Sequence, residues 1–383
     1  EPNGNLVYFN SKYNKYYELN KEYKLIDSFY CGNGYITDGH ELKILSNEHA
    51  LLMSYDSQTV DMSQIVQGGN PNCLVIGLII QEIDTDKNVV FQWRSWDHIP
   101  ITDAQHQDMT AIYLDYIHGN AIEQDNDGNI LISSRHLDEI TKINRETGSI
   151  MWRLGGPGNQ FTFLNDPDNG FTFQHGIRRL PNGNIILFDN GNFHTPPHSR
   201  AAEYTLDETN MTANLAWQYR NTPDIFGFAM GFAQRLDNGN TLISWGSANP
   251  SLTEVTPAGE VVLEMSLPMG VYSYRAFKFG WDGKPLYIDL TAVKIPESFR
   301  LSQNYPNPFN PVTKIDFDLP EGSFVNLSVY DVLGRLVQNI YNTQLPAGPY
   351  SVNFNSSKLP SGVYFYRLKT DSFTDTKKMV IVK

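Results

Sequence analysis

Apolar and polar residues alternate along this chain in short runs, and the runs come in pairs joined by polar turns. "FQHGIRRLPNGNIILFDNGN", Phe173 to Asn192, is the clearest case: a strand, a Pro-Asn-Gly-Asn turn and a second, apolar strand. An Asx-Gly step between two such runs predicts a β-hairpin, because Gly and Asn tolerate the left-handed φ that the tight turn needs. The same hairpin starts at His40 ("HELKILSNEHALLMSYD"), at His118 ("HGNAIEQDNDGNILISSR") and at Gly231 ("GFAQRLDNGNTLISWG"). The turn Gly comes eight residues after His175 and after Gly231. The His118 copy reads as a hairpin two residues longer, and the His40 copy keeps the length without the Gly.

A second strand–turn–strand element follows each hairpin: "QEIDTDKNVVFQWRS", "TKINRETGSIMWRLG", "AEYTLDETNMTANLAWQYR" and "TEVTPAGEVVLEMSL". Each unit therefore has four strands, and the last three units start 57 and 56 residues apart. Four-stranded units repeated head to tail predict a β-propeller, here of five to six blades. Tyr8–Tyr30 reads as the second half of a unit and Tyr272–Ile288 as a first half, so the two ends are expected to complete one blade. The register breaks after Ile288. A Pro-rich linker and entry loop is expected over 291–312, and short alternating runs over 313–383 predict a small antiparallel, Ig-like β-sandwich. The class is all-β, with the propeller over 1–290.

The net charge of −13 makes nucleic acid an unlikely match, since phosphate binding needs a basic face. No apolar run reaches the length of a membrane span; the longest, Leu74–Ile80, is strand-sized. Cys31 and Cys73 have no metal-ligand spacing and form either one disulfide or two buried thiols. "DNDGN" at Asp125–Asn129 lacks the rest of a calcium loop and reads as a hairpin turn. No metal or cofactor is expected.

Two stretches carry family resemblances. "LSQNYPNPFNPVTKIDFDLP", "LSVYDVLGRLV", "LPAGPYSVNFN", "LPSGVYFYRLKT" and the final "KKMVIVK" resemble the type A sorting domain of the type IX secretion system, from about Phe299 to Lys383. That resemblance implies export to the cell surface or beyond, with the type IX machinery as partner. The first 290 residues resemble the arylsulfotransferase family, through "DYIHGNAI", "LISSRH", "WRLGG", "FQHGIRRLPNGNIILFDNG", "HSRAAEY", "GFAQRLDNGNTLISWGS" and "YSYRAFKF". The family moves a sulfuryl group from an aryl sulfate to a phenol without a nucleotide donor.

A residue that opens the first strand of each blade points into the central channel, so His40, His118 and His175 are expected to converge there. Sulfuryl transfer needs fixed cations around the sulfuryl oxygens, a nucleophile and an acid for the leaving phenolate; histidine and arginine supply these. By motif, the family's two channel histidines and arginine map onto His118, His175 and Arg200. His40, Arg135, His194 and Tyr274 are further substrate-binding candidates. Strand alternation would send Arg135 and His136 to opposite faces. The family's nucleophilic histidine falls at Gly231, and no histidine follows His198. That leaves His118, His175 or His194 as nucleophile, direct transfer, action on a different ester, or an inactive protein. The alternative is a non-catalytic propeller that binds a glycan, a phenolic ligand or a protein at the cell surface.

Overall fold

The computed structural model describes residues 4–268, 270–280, 296–345 and 347–383. The chain divides into two compact units, Glu1–Lys284 and Pro285–Lys383. In the first unit five sheets follow one another in chain order. Sheet 1 has the strands Leu6–Asn10, Lys15–Leu19 and Leu25–Phe29. Sheet 2 is the meander Thr37–Ile44, Ala50–Val60, Cys73–Ile83, Val89–Arg94, with Tyr113–Asp115 added in parallel to its third strand. Sheet 3 runs Gly119–Gln124, Ile130–Ser134, Glu139–Ile143, Ile150–Gly155. Sheet 4 runs His175–Arg179, Ile185–Asp189, Arg200–Asp207, Thr212–Tyr219, with Thr162–Leu164 parallel at its outer edge. Sheet 5 runs Phe232–Arg235, Thr241–Ser244, Leu252–Val255, Val261–Met265. These are the blades of a β-propeller.

Period-two alternation decides how the blades pack. Along Ile130–Ser134, Ile130 and Ile132 join Leu51, Met53, Ile80 and Trp93 of sheet 2, whereas Leu131 joins Ile177, Ile185 and Leu187 of sheet 4. Along Ile185–Asp189, Ile185 and Leu187 face sheet 3, while Ile186 and Phe188 face Ala233, Ile243 and Trp245 of sheet 5. A strand covered on both faces reads as a continuous apolar run, which is why "IILF" shows no polar alternation. Burial of one such side chain contributes about 1.5–3 kcal/mol, and each pair of consecutive sheets among the described residues shares a core of its own.

The hairpins share one register, and it corrects the sequence alignment. The turns close by backbone N–H donation from Leu45, Asp125, Leu180 and Leu236 to the carbonyls of His49, Asn129, Asn184 and Asn240, at 2.8 Å in each case. The hairpin after His118 is therefore no longer than the others. Five residues before these donors stand His40, Asn120, His175 and Gly231, so His118 is offset by two positions. The spacing of the last three units becomes 55 and 56 residues.

Tyr272–Ile288, the expected closing half-blade, lies outside the described residues from position 281 on. Its first part runs beside sheet 5: Gly231 N–H donates to Tyr274 O at 2.9 Å, and the Gln234 side chain bonds the Lys278 backbone in both directions. Arg275 ties the inner strands of sheets 2 and 3 together through the carbonyls of His40 and Asn120, at 2.9 and 3.0 Å.

In the second unit Arg300–Leu301, Val312–Leu319 and Gly348–Asn355 form one sheet. Leu336–Leu345, Ser323–Tyr330, Gly362–Lys369 and Thr374–Ile381 form the other. Thr313, Ile315, Phe317 and Leu319 are buried and their neighbours are not, as alternation requires. Phe309 is in the core, and Asn304 N–H donates to Tyr366 Oη at 2.7 Å. The Pro-rich stretch from Phe299 to Pro311 thus builds part of this unit. Cys31 and Cys73 are two buried free thiols.

Candidate functional site

Four histidines gather at the channel. His40 and His118 rings lie 5.3 Å apart, and His118 and His136 rings 4.8 Å apart. His118 arrives from just outside its strand, on a left-handed residue with φ of 46°. Asp115 fixes it twice, accepting from its backbone N–H at 2.9 Å and facing its Nδ1 at 2.7 Å. Because a carboxylate only accepts, Nδ1 carries the proton and Nε2 keeps the lone pair. Burial raises the Asp115 carboxyl, but the bonds from His118 and the nearness of His118 and His136 together outweigh it and hold it below the usual range. His40 repeats the arrangement, with Asp38 at 2.5 Å from its Nδ1. An open hollow of about 280 Å³ is lined by Asp38, Gly39, His40 and Tyr274. The Tyr274 ring lies 5.5 Å from His40, and its hydroxyl donates to Asn120 O at 3.3 Å. Tyr55, missed in the sequence, flanks both histidines at 6.3 and 6.5 Å.

Arg135 and His136 do not alternate, because Arg135–Leu137 is a 3-10 turn rather than a strand. Its backbone N–H groups bond back to His118 O and Ile117 O, which places both side chains beside His118. His136 Nδ1 donates to Asp115 O at 2.6 Å, so its Nε2 can accept from Arg135 Nη1 at 2.8 Å. Burial pushes this imidazole down to about 4, so it is neutral. The Arg135 guanidinium lies 3.9 Å over the Phe173 ring and donates to Phe228 O at 3.1 Å. Its Nε is buried without a partner, and no carboxylate of the described residues is within ion-pair distance. Burial lowers its pKa to about 10. Asp138, at the end of the turn, is pushed up to about 7 by burial and offers only a partial counter-charge at neutral pH, and Asp115 acts on Arg135 from beyond ion-pair distance.

His175 is buried at the head of its strand. Its Nδ1 faces Phe173 O at 3.0 Å and Asn190 Oδ1 at 2.7 Å, both acceptors, so the proton is on Nδ1. The Asn190 amide is oriented by donation to Gly227 O and Met230 O. Burial, with Arg135 as a nearby charge, holds this imidazole well below its ordinary range and so neutral. Gly231, the register equivalent of His175, cannot carry a side chain: φ is +105° and a Cβ there would meet the Phe188 ring at 2.3 Å.

Arg200 is not brought to this cluster. Nε donates to Asp189, Nη1 to Asp166 and Gln218, and Nη2 to Asp166 and Gly170 O. All five N–H groups are engaged and the side chain is fully buried, so nothing remains for a sulfuryl oxygen. Two guanidiniums lie among the histidines: Arg275, which is paired with Glu41, and Arg135, which is not paired with a carboxylate. His194 also lies apart, bonded to Asp189 at 2.8 Å beside Arg200.

The arylsulfotransferase (ASST) family profile matches residues 3–267. The chain belongs to the arylsulfotransferase family. Residues 303–382 match the secretion system C-terminal sorting domain, and the protein is exported through the type IX system to the cell surface or beyond. No helix among the described residues is long and apolar enough to cross a membrane. No curated protein matches the chain. Among solved structures, a protein of unknown function from Bacteroides caccae is 12% identical over 68% of this chain and 93% of its own, with a TM-score of 0.36. Virginiamycin B lyase from Staphylococcus aureus, in a catalytically inactive form with quinupristin, is 9% identical over 98% and 94%, with a TM-score of 0.37. PorZ, a type IX secretion surface component of Porphyromonas gingivalis, is 9% identical over 99% and 70%, with a TM-score of 0.28.

Proposed function

We propose that this arylsulfotransferase-family protein transfers a sulfuryl group from an aryl sulfate to a phenol, or to water, at the cluster of His40, His118, His136, His175 and Arg135. The observation that supports it is Arg135: a desolvated guanidinium with an unpartnered Nε and no paired carboxylate, among imidazoles. Such a group favours an anion that brings its own oxygens. The sulfuryl oxygens take the Arg135 donors. His118 Nε2, whose lone pair the Asp115 contact exposes, attacks sulfur: the N–S bond forms and the S–O bond to the aryl group breaks. The leaving phenolate departs into the open hollow beside His40 and Tyr274 and takes its proton from solvent. An acceptor phenol reverses the sequence and gives its proton back.

Nitrophenyl sulfate with a phenol tests this. Wild type should release the chromophore, His118→Ala should be slower by at least about a hundredfold, and rapid quenching should trap acid-labile sulfate on His118. Turnover without any trapped label refutes the covalent step. No turnover across a panel of aryl sulfates, with a ligand still binding the channel, moves the protein to the second reading, a binding propeller. That reading draws on Gly231, where the Phe188 ring fills the place of the family's nucleophile.

A further inference from the structure

A second histidine cluster sits away from the channel residues, where two loops of sheet 4 meet. Asp168 comes from the loop Asp166–Gly170, and His194 and His198 from the loop that joins Asp189 to Arg200. One ligand atom from each of the three lies within 4.8 Å of the others. The imidazole rings are 4.9 Å apart. His198 and His194 are buried and Asp168 is partly open to solvent.

The bonding of His198 does not balance for a neutral ring. Its Nδ1 is 2.9 Å from Pro196 O and its Nε2 is 3.1 Å from Asp168 Oδ2. Both partners are acceptors, yet a neutral imidazole has one N–H. Something positive belongs at the second nitrogen. His194 faces Asp189 through Nε2 at 2.8 Å, so a neutral ring would present its lone pair at Nδ1. A backbone carbonyl or carboxylate on one nitrogen is the usual support for a histidine whose other nitrogen binds a metal.

Local charge points the same way. Asp166, Asp168 and Asp189 surround the single guanidinium of Arg200, three negative charges to one positive. The buried cluster thus carries two excess negative charges unless a divalent cation or two imidazolium protons cancel them. Nitrogen donors select a first-row transition ion over calcium or magnesium. The other trio of metal-ligating type, Asp115, His118 and His136, is a poorer match, since His136 Nε2 already accepts from Arg135 and a guanidinium repels a cation.

We propose that Asp168, His194 and His198 bind one zinc-type divalent cation, which clips the two loops together and leaves a coordination position for water. His194 and His198 stand at a His-x3-His spacing common among zinc ligands, and Asp168 joins them only in the fold. The site is independent of the sulfuryl-transfer reading and its readout is not activity. The full chain would be analysed for metal as isolated, stripped with EDTA, and titrated with Zn²⁺ against a chromophoric chelator. The expected result is one zinc per chain and a Tm lowered by roughly 5 °C on stripping and restored by zinc. His198→Gln and the milder, partly exposed Asp168→Asn should each weaken zinc affinity at least about a hundredfold and remove the EDTA effect on Tm. Absence of bound zinc with no Tm response overturns the proposal, and places imidazolium protons there instead. Zinc binding that survives both variants but is lost in His118→Gln also overturns it.

Discussion

Arg135→Gln separates function from stability more sharply than any other change at the site. Glutamine keeps an N–H donor for His136 Nε2 and removes the charge. Charge-assisted hydrogen bonds contribute about 1.5–3 kcal/mol each, and loss of one preorganised donor to a developing oxyanion lowers kcat by about 10²–10³. With the two remaining Arg135 Nη donors on a sulfuryl group, kcat/KM should fall by roughly 10²–10³. Stability should move the other way or not at all. The guanidinium is held at about 10 by burial, down from 12.5, a penalty of roughly 3 kcal/mol for keeping the charge there. The pairing with His136, the Phe228 carbonyl and the Phe173 ring offsets part of it. Tm of the variant should therefore equal or exceed that of wild type while nitrophenol release collapses. An Arg135→Gln protein that keeps its turnover, or that loses both turnover and several degrees of Tm, refutes the assignment of Arg135 as the anion-holding group.

Two further outcomes follow from the buried charges. Arg200→Met leaves Asp166 and Asp189 without their cation, so calorimetry should show a loss of about 3–5 kcal/mol and a Tm lower by roughly 10 °C; an unchanged Tm would mean that Arg200 is not structural. Burial raises Asp138 from 3.8 to about 7, so the folded chain keeps a proton that the unfolded chain releases. Its contribution is full below about pH 4 and is lost as pH rises through 7, roughly 4 kcal/mol in all. Asp138→Asn still accepts from Phe173 N–H and tolerates the left-handed φ of 53°, so it should shrink the drop in Tm between pH 5 and pH 8 by several degrees; an unaltered pH profile would contradict this.

The propeller was legible because its signals are local: turn chemistry marks each hairpin and the apolar runs mark strands covered on both faces. The channel site was legible only in part. Counting back from the turn Gly128 would have picked Asn120 as the partner of His175, but the shared His-Gly dipeptide drew the alignment to His118. The position of His118 depends on a left-handed residue before the strand, which no alternation records. Arg135 and His136 were placed on opposite faces because "LISSRH" reads as one strand; the 3-10 turn that ends it is set by backbone bonds to Ile117 and His118. Arg200 looked free because its partners, Asp166 and Asp189, lie on other segments, and pairing across segments has no pattern in sequence.

The missing histidine at Gly231 is bound up with the packing rather than with one position. A side chain there needs a left-handed backbone that L residues rarely adopt, and it needs the volume of the Phe188 ring. Phe188 is fully buried in the core between sheets 4 and 5, with Trp245 at 5.9 Å. Removing that ring costs about 3–5 kcal/mol. The family's nucleophile therefore cannot return to this blade by a single substitution, and any covalent chemistry must draw on imidazoles that the fold already presents. Of these, His136 is occupied by Arg135, and His175 is buried behind Asn190. His118 and His40 each combine partial solvent access with a carboxylate on Nδ1, and they are the two rings of the cluster left open to a ligand.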